Sequence, residues 1–103
     1  MLPVGEGVLF KLSESTGELV FSEVARGDIN EGMLQSGDVF VLDDGSEIFI
    51  WVGSEASSLE SNKALATAEQ YLVSNNKPAH MPIHLFKEGQ TIRNARWRQI
   101  MQD

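Results

Sequence analysis

A pair of apolar segments joined by a polar hinge, within residues 37–52, most constrains the fold. Val39-Phe40-Val41-Leu42 and Ile48-Phe49-Ile50-Trp51-Val52 are apolar at every position. A strand buried on one face alternates apolar and polar residues, so unbroken apolar runs indicate strands covered on both faces. The hinge Asp43-Asp44-Gly45-Ser46 has the composition of a turn. The sequence therefore predicts a central β-hairpin with other elements packed on each side, and Trp51 belongs to the core.

Further strands flank this hairpin. Residues 7–12 and 18–24 are predicted strands separated by turn residues, and residues 82–86 are a last strand. Residues 25–36 contain two glycines and several acids, which indicates an irregular surface loop with a short turn around Met33-Leu34.

Two helices complete the prediction. A long one covers residues 59–75, with apolar residues at helical spacing (Leu65, Ala68 and Leu72), Ser57 or Ser58 as N-cap and Asn75-Asn76-Lys77-Pro78 as its end. A short one runs from Thr91 to Gln102. The order ββ-ββ-α-β-α predicts an α+β fold: a five-stranded mixed β-sheet sandwiched between one long and one short α-helix.

Composition limits the classes of function. The 103 residues suit a single domain, residues 1–103, and the chain has no cysteine for a disulfide or a thiolate site. The net charge of −7 argues against nucleic acid as a partner, because phosphate neutralisation dominates that binding. No apolar run reaches the length of a membrane span, and the N-terminus lacks the pattern of a signal peptide. No motif pairs a nucleophile with a histidine base, so we expect no enzyme.

Two acids mark a candidate cation site. Asp38 begins the first strand of the hairpin and Glu60 opens the long helix. A hairpin followed directly by a helix can bring two such carboxylates to one end of a sheet. Oxygen ligands of this kind suit a hard cation such as Ca²⁺.

Other polar groups predict no metal site. His80 and His84 flank Pro82 in an extended segment, where four residues span about 13 Å, too far to chelate one ion. The remaining acidic or amide residues of the loops lack the spacing of an EF-hand; they are Asp28, Asn30, Asp43 and Asp44. Three arginines near Trp97 complement the C-terminus of the short helix or contact an acidic partner; they are Arg93, Arg96 and Arg98.

The sequence resembles a gelsolin-type repeat, the module of gelsolin, villin, severin and fragmin, and is most similar to a later repeat. The matching segments run in order over almost the whole chain: Leu9-Phe10-Lys11-Leu12, Thr16-Gly17-Glu18-Leu19, Gly37-Asp38-Val39-Phe40-Val41-Leu42-Asp43, Ile48-Phe49-Ile50-Trp51-Val52-Gly53, Glu60-Ser61-Asn62-Lys63-Ala64-Leu65, Pro82-Ile83-His84-Leu85-Phe86 and Glu88-Gly89.

The resemblance implies a calcium-regulated, actin-binding domain of the cytoplasm and cytoskeleton. The family's calcium ligands match Gly37, Asp38 and Glu60, and the remaining ligand of the family lies beyond the last helix, with Asp103 too early to supply it. A second family site, shared with actin, needs an aspartate where this chain has Leu72, so we expect that site to be absent.

The family binds actin through the outward face of the long helix, and the matching residues here are Asn62, Ala66, Glu69, Gln70 and Val73. This face is more polar than a strong binding helix requires. Two hypotheses follow: a calcium-binding actin module that caps, severs or sequesters, or a structural module that packs on sister domains or on a non-actin protein. A phosphoinositide head group is a further candidate for the arginines.

Overall fold

Five strands form one mixed sheet in the computed structural model, which describes residues 7–27, 29–45, 47–77 and 81–101. The strands are β1 (Val8–Ser15), β2 (Glu18–Arg26), β3 (Val39–Asp43), β4 (Ile48–Val52) and β5 (Ile83–Lys87). Their order across the sheet is β2-β1-β3-β4-β5. The β4–β5 pair is parallel and the other three pairs are antiparallel. The predicted five-stranded mixed sheet is confirmed.

The two faces of the sheet carry different helices because strand side chains alternate. Val39 and Val41 pack with the 17-residue helix α1 (Ser58–Ser74). Phe40 and Leu42 pack with the seven-residue helix α2 (Ala95–Met101) on the other face. Strand β4 is buried on both faces in the same way, and Trp51 is 8% exposed. The central hairpin and the core position of Trp51 agree with the sequence-based expectation.

Helix α1 begins at a capping box. The Ser57 hydroxyl accepts a hydrogen bond from the Glu60 N–H, and the Glu60 carboxylate accepts one from the Ser57 N–H. The residues that α1 turns to the sheet are spaced four apart, namely Glu60, Ala64, Ala68 and Leu72. The prediction that Leu65 belongs to this stripe is wrong, because Leu65 lies on the flank of the helix and is 50% exposed.

Three further boundaries differ from the prediction. Strand β1 continues to Ser15, through residues 13–15 that were expected to form the turn. Helix α2 starts at Ala95 instead of Thr91, because the Asn94 side chain accepts a hydrogen bond from the Trp97 N–H at 3.1 Å and caps the helix there. Arg93 therefore precedes the helix. Strand β2 continues to Arg26, inside the segment expected to be irregular, and the short turn is a 3-10 helix over Glu31–Met33.

Several residues named from the sequence lie outside the described ranges: the N-terminal residues 1–6, Asp28, Ser46, Pro78, His80, Gln102 and Asp103. No helix within the described ranges is long and apolar enough to cross a membrane.

Candidate functional site

The segment before β3 is locked against the turn after β4. The Asp38 carbonyl accepts a hydrogen bond from the Gly53 N–H at 3.0 Å, and the Ser36 carbonyl accepts one from the Glu55 N–H at 2.9 Å. A Cβ atom at Gly53 would overlap the Ser36 carbonyl and lie 2.7 Å from the Asp38 carbonyl oxygen. Only glycine lets the two backbones approach this closely, so Gly53 fixes where the Asp38 segment sits.

The Glu60 side chain connects helix α1 to the β1–β2 hairpin. It is 3% exposed, and its Oε2 atom accepts a hydrogen bond from the Glu14 N–H at 2.6 Å, while Oε1 accepts from the Ser57 N–H at 2.8 Å. A buried carboxylate needs such donors, because an unpaired buried charge is strongly unfavourable. Glu60 therefore caps helix α1 and also ties that helix to strand β1 at Glu14.

The structure brings Asp38 and Glu60 to the same end of the sheet. Leu12 of β1 pairs with Val39, which directly follows Asp38, and Glu14, the partner of Glu60, is two residues further along β1. The donors at this end are two carboxylates and the Gly37 carbonyl, all oxygen ligands of the type that Ca²⁺ prefers. Glu60 keeps lone pairs beyond its two hydrogen bonds, so the chemistry of these donors is compatible with a hard cation.

This donor set is small. Among the residues that the structure describes, no group of three or more histidine, cysteine, aspartate or glutamate side chains could hold a metal ion. The Asp38 and Glu60 pair with the Gly37 carbonyl would need further oxygens, which water supplies readily to calcium. The role of these residues as ligands remains a prediction.

A third carboxylate, Glu88, lies beside the Gly53 turn; the sequence analysis named it within the matching segment Glu88-Gly89 and gave it no role in a site. It accepts hydrogen bonds from the Ser54 N–H at 2.8 Å and from the Ser36 hydroxyl at 2.7 Å. These donors, the Ser54 N–H foremost, lower the pKa of Glu88 below its ordinary value. The signals for such a role were its place in the matching segment and its position directly after β5, whose parallel neighbour β4 ends at the same edge.

The outward face of α1 is open to solvent. All five residues assigned to a partner from the sequence are exposed, namely Asn62, Ala66, Glu69, Gln70 and Val73. Val73 is 72% exposed. The structure thus places these residues together on one accessible surface, and their role in binding stays a prediction.

A groove of about 620 Å³ runs beside this face, between α1 and β2. Its lining comes from strands β1 and β2 and from one side of α1: Phe10, Phe21, Glu23, Arg26, Ala66, Thr67, Gln70, Tyr71, Ser74 and Asn75. Helix α1 packs mainly on β1, β3 and β4, which leaves the α1 side of β2 only partly covered, with Phe21 of β2 meeting the helix edge-on at Tyr71. No local sequence pattern marked this groove, although a five-stranded sheet is wider than a single helix.

The floor of the groove is held by a buried acid. The Tyr71 hydroxyl donates a hydrogen bond to Asp43 Oδ2 at 2.6 Å, and Lys77 Nζ lies 3.4 Å from the same oxygen. Burial, followed by the hydrogen bond to Asp43, raises the pKa of the Tyr71 hydroxyl. Asp43, predicted only as a polar hinge residue, thus joins the end of β3 to the last turns of α1.

His84 pairs with a carboxylate at the opposite end of the sheet from Asp38. Its Nε2 atom lies 2.6 Å from Glu47 Oε1, and its ring stacks on Phe49 with centroids 5.1 Å apart. These neighbours account for His84 without a metal ion. The expectation that His80 joins no zinc site with it concerns a residue outside the described ranges.

Comparison with known proteins identifies the family. The gelsolin repeat profile matches residues 20–96, which is most of the chain. The chain belongs to the gelsolin family. This repeat is 36% identical over 81 residues to a gelsolin of Drosophila melanogaster and 37% identical over 83 residues to advillin of Mus musculus. The matches cover 79% of this chain but only 10% of each relative, so the repeat spans about a tenth of their length.

Solved structures agree with this assignment. A Thorarchaeota protein, 2DGel3, whose crystal structure was solved in complex with rabbit actin, is 27% identical to the repeat with a TM-score of 0.76. The match covers 89% of this chain and 44% of that protein. The gelsolin-like fold expected from the sequence is therefore confirmed.

Proposed function

We propose that this gelsolin repeat binds actin through the outward face of α1. The observation that carries the proposal is that the whole face is exposed on a gelsolin repeat whose structural relative was solved with rabbit actin. A helix that presents a continuous accessible face can enter a groove on a partner. The cellular setting that follows is the cytoplasm and its cytoskeleton.

Calcium is the second part of the proposal. Gly37, Asp38 and Glu60 would hold the ion between the start of β3 and the start of α1. When bound, the ion supplies positive charge that joins these two elements. A ligand that binds only the folded state stabilises it by about 2.7 kcal/mol at a hundred times its Kd. Calcium would therefore favour the shape in which α1 is fixed on the sheet.

Actin binding is tested by co-sedimentation with filaments and by titration of actin monomers, each with calcium and with a chelator. We expect Val73→Asp to weaken binding and Leu65→Asp, on the flank of the same helix, to leave it nearly unchanged. Capping, severing and monomer binding are then separated by the growth and shortening rates of labelled filaments. Absence of binding to both monomers and filaments would refute the proposal.

The calcium part is tested separately, by melting the protein with calcium and with chelator. We expect calcium to raise the Tm and Asp38→Ala to remove that rise. Glu60→Ala should also remove it, but this change disturbs the capping box, so Asp38→Ala is the cleaner variant. Glu69→Gln is the matched control on an exposed carboxylate. A Tm that calcium does not change in the unmodified protein refutes the metal site and leaves actin binding open.

A second candidate function is a structural module that packs on sister repeats. The polar character of the α1 face favours it, because Asn62, Glu69 and Gln70 supply no apolar anchor. The short span relative to gelsolin and advillin also fits a unit within a longer array. Binding to isolated sister repeats without actin would distinguish this candidate.

A further inference from the structure

The groove between α1 and β2 is a ready-made apolar site next to the proposed actin-binding face. Its base is aromatic: Phe10 stacks on Phe21 with ring centroids 4.8 Å apart, and the Tyr71 ring lies 4.9 Å from Phe10. Its volume of about 620 Å³ is within the range of about 300–1,000 Å³ typical of ligand pockets. The site is thus large enough to bury the side chains of a partner.

The base of the groove is held rigidly before any partner arrives. The Tyr71 ring is fixed at its far end by the hydroxyl bond to Asp43, which is itself 4% exposed. Phe10 and Phe21 stand on paired neighbouring strands. A site that needs no rearrangement avoids the ordering cost of binding.

The rim of the groove is polar. Arg26 and Glu23 form an exposed ion pair at 3.0 Å on the β2 side. On the α1 side, the Gln70 side-chain amide donates to the Ser74 hydroxyl at 3.2 Å. An apolar centre inside a polar rim is the usual anatomy of a protein–protein contact.

The groove and the outward face of α1 form one continuous surface. Ala66 and Gln70 belong to both: they are exposed on the outward face and they line the groove. The outward face by itself offers one large apolar side chain, Val73, whereas binding energy is usually concentrated in a few apolar anchors within pockets. A partner seated on the α1 face would also reach the apolar base of the groove, because Ala66 and Gln70 join the two surfaces.

We propose that an apolar side chain of actin enters the groove and anchors the contact made by the outward face of α1. The inference rests on the proposed actin binding and adds where its apolar anchor lies. The roles of the two surfaces are then divided: the polar helix face positions actin, and Phe10, Phe21 and Tyr71 receive the side chain. A substitution at Thr67 distinguishes this arrangement from one in which actin contacts only the outward face of α1, because Thr67 lines the groove but is not part of that face.

The test compares the actin affinity of a variant whose groove is filled by a tryptophan ring with that of a variant that carries the same ring outside the groove. Thr67→Trp places a large ring in the groove, and Leu65→Trp places the same ring on the opposite flank of α1. We expect Thr67→Trp to raise the Kd for actin by about tenfold or more, since losing a buried anchor costs at least about 1.4 kcal/mol. Leu65→Trp should change the Kd less than about threefold. Phe21→Ala, which removes part of the base, should weaken binding in the same direction as Thr67→Trp.

The possible outcomes distinguish the groove inference from the proposed actin binding on which it rests. An unmodified protein that does not bind actin refutes the proposed function. An unmodified protein that binds, together with Thr67→Trp and Phe21→Ala variants that bind equally well, overturns the groove inference alone. If Thr67→Trp fails to fold in a melting experiment, Phe21→Ala decides. Sedimentation showing a dimer that Thr67→Trp disrupts, with unchanged actin binding, would assign the groove to a second copy of the chain and also overturn the inference.

Discussion

The substitution Glu60→Gln tests how much the buried carboxylate contributes to stability. Glu60 accepts backbone N–H bonds from Ser57 and Glu14 through its two oxygens. A glutamine of nearly the same shape has one oxygen and one NH₂ group, so one of these donors faces another donor. A hydrogen bond to a charged group contributes about 1.5–3 kcal/mol. We expect Glu60→Gln to destabilise the fold by about 2 kcal/mol.

The assay is urea unfolding monitored by tryptophan fluorescence, with a chelator present so that no metal ion contributes to stability. A loss of about 2 kcal/mol corresponds to a Tm lower by roughly 8–16 °C in a domain near this size. The control is Glu69→Gln, an exposed carboxylate on the same helix, which should change stability by less than about 0.5 kcal/mol. If Glu60→Gln is as stable as Glu69→Gln, the Glu60 side chain does not tie the hairpin to α1, and the reasoning fails.

Three further substitutions follow from the same structure. Tyr71→Phe removes the hydrogen bond to buried Asp43 and should lower the free energy of unfolding in urea by about 1–2 kcal/mol. Because the Tyr71 pKa is raised in the fold, the tyrosine of the unfolded chain ionises first, so the unmodified protein should lose stability above pH 10.0 and Tyr71→Phe should not show this loss. Gly53→Ala would push a Cβ into the Ser36 carbonyl and should destabilise by about 1–3 kcal/mol in thermal melts, with no loss contradicting the close approach. Because the pKa of Glu88 is lowered, its carboxylate stabilises the fold fully above pH 4.5 and progressively less below it. The difference in unfolding free energy between the unmodified protein and Glu88→Gln should therefore shrink as the pH falls below 4.5, and a difference independent of pH would contradict this.

The sheet was predictable from the sequence because its signals are local. The unbroken apolar runs of β3 and β4 required cover on both faces, and the capping residues Ser57 and Glu60 marked the start of α1. The error at Leu65 has a physical reason: a helix whose buried line consists of Glu60, Ala64, Ala68 and Leu72 contains small and polar residues on its inner side. The apolar spacing alone therefore indicated a larger residue, Leu65, which lies on the flank of the helix.

The candidate site was only partly predictable. The sequence indicated that Asp38 and Glu60 could meet at one end of the sheet, because a hairpin and a following helix have few ways to connect. It did not indicate the bond from the Glu14 N–H, since that contact joins residues 46 positions apart. The groove was also missed, because it depends on where α1 crosses the sheet rather than on any one segment.

The parallel pairing of β5 with β4 has a consequence for synthesis of the protein. Strand β5 and helix α2, residues 83–101, supply cover for Phe49 and Trp51, yet they follow these residues by the whole length of α1. A chain emerging from the ribosome exposes this aromatic surface until residues 83–101 have been made. A chain truncated before residue 83 would therefore leave the apolar face that carries Phe49 and Trp51 exposed to solvent.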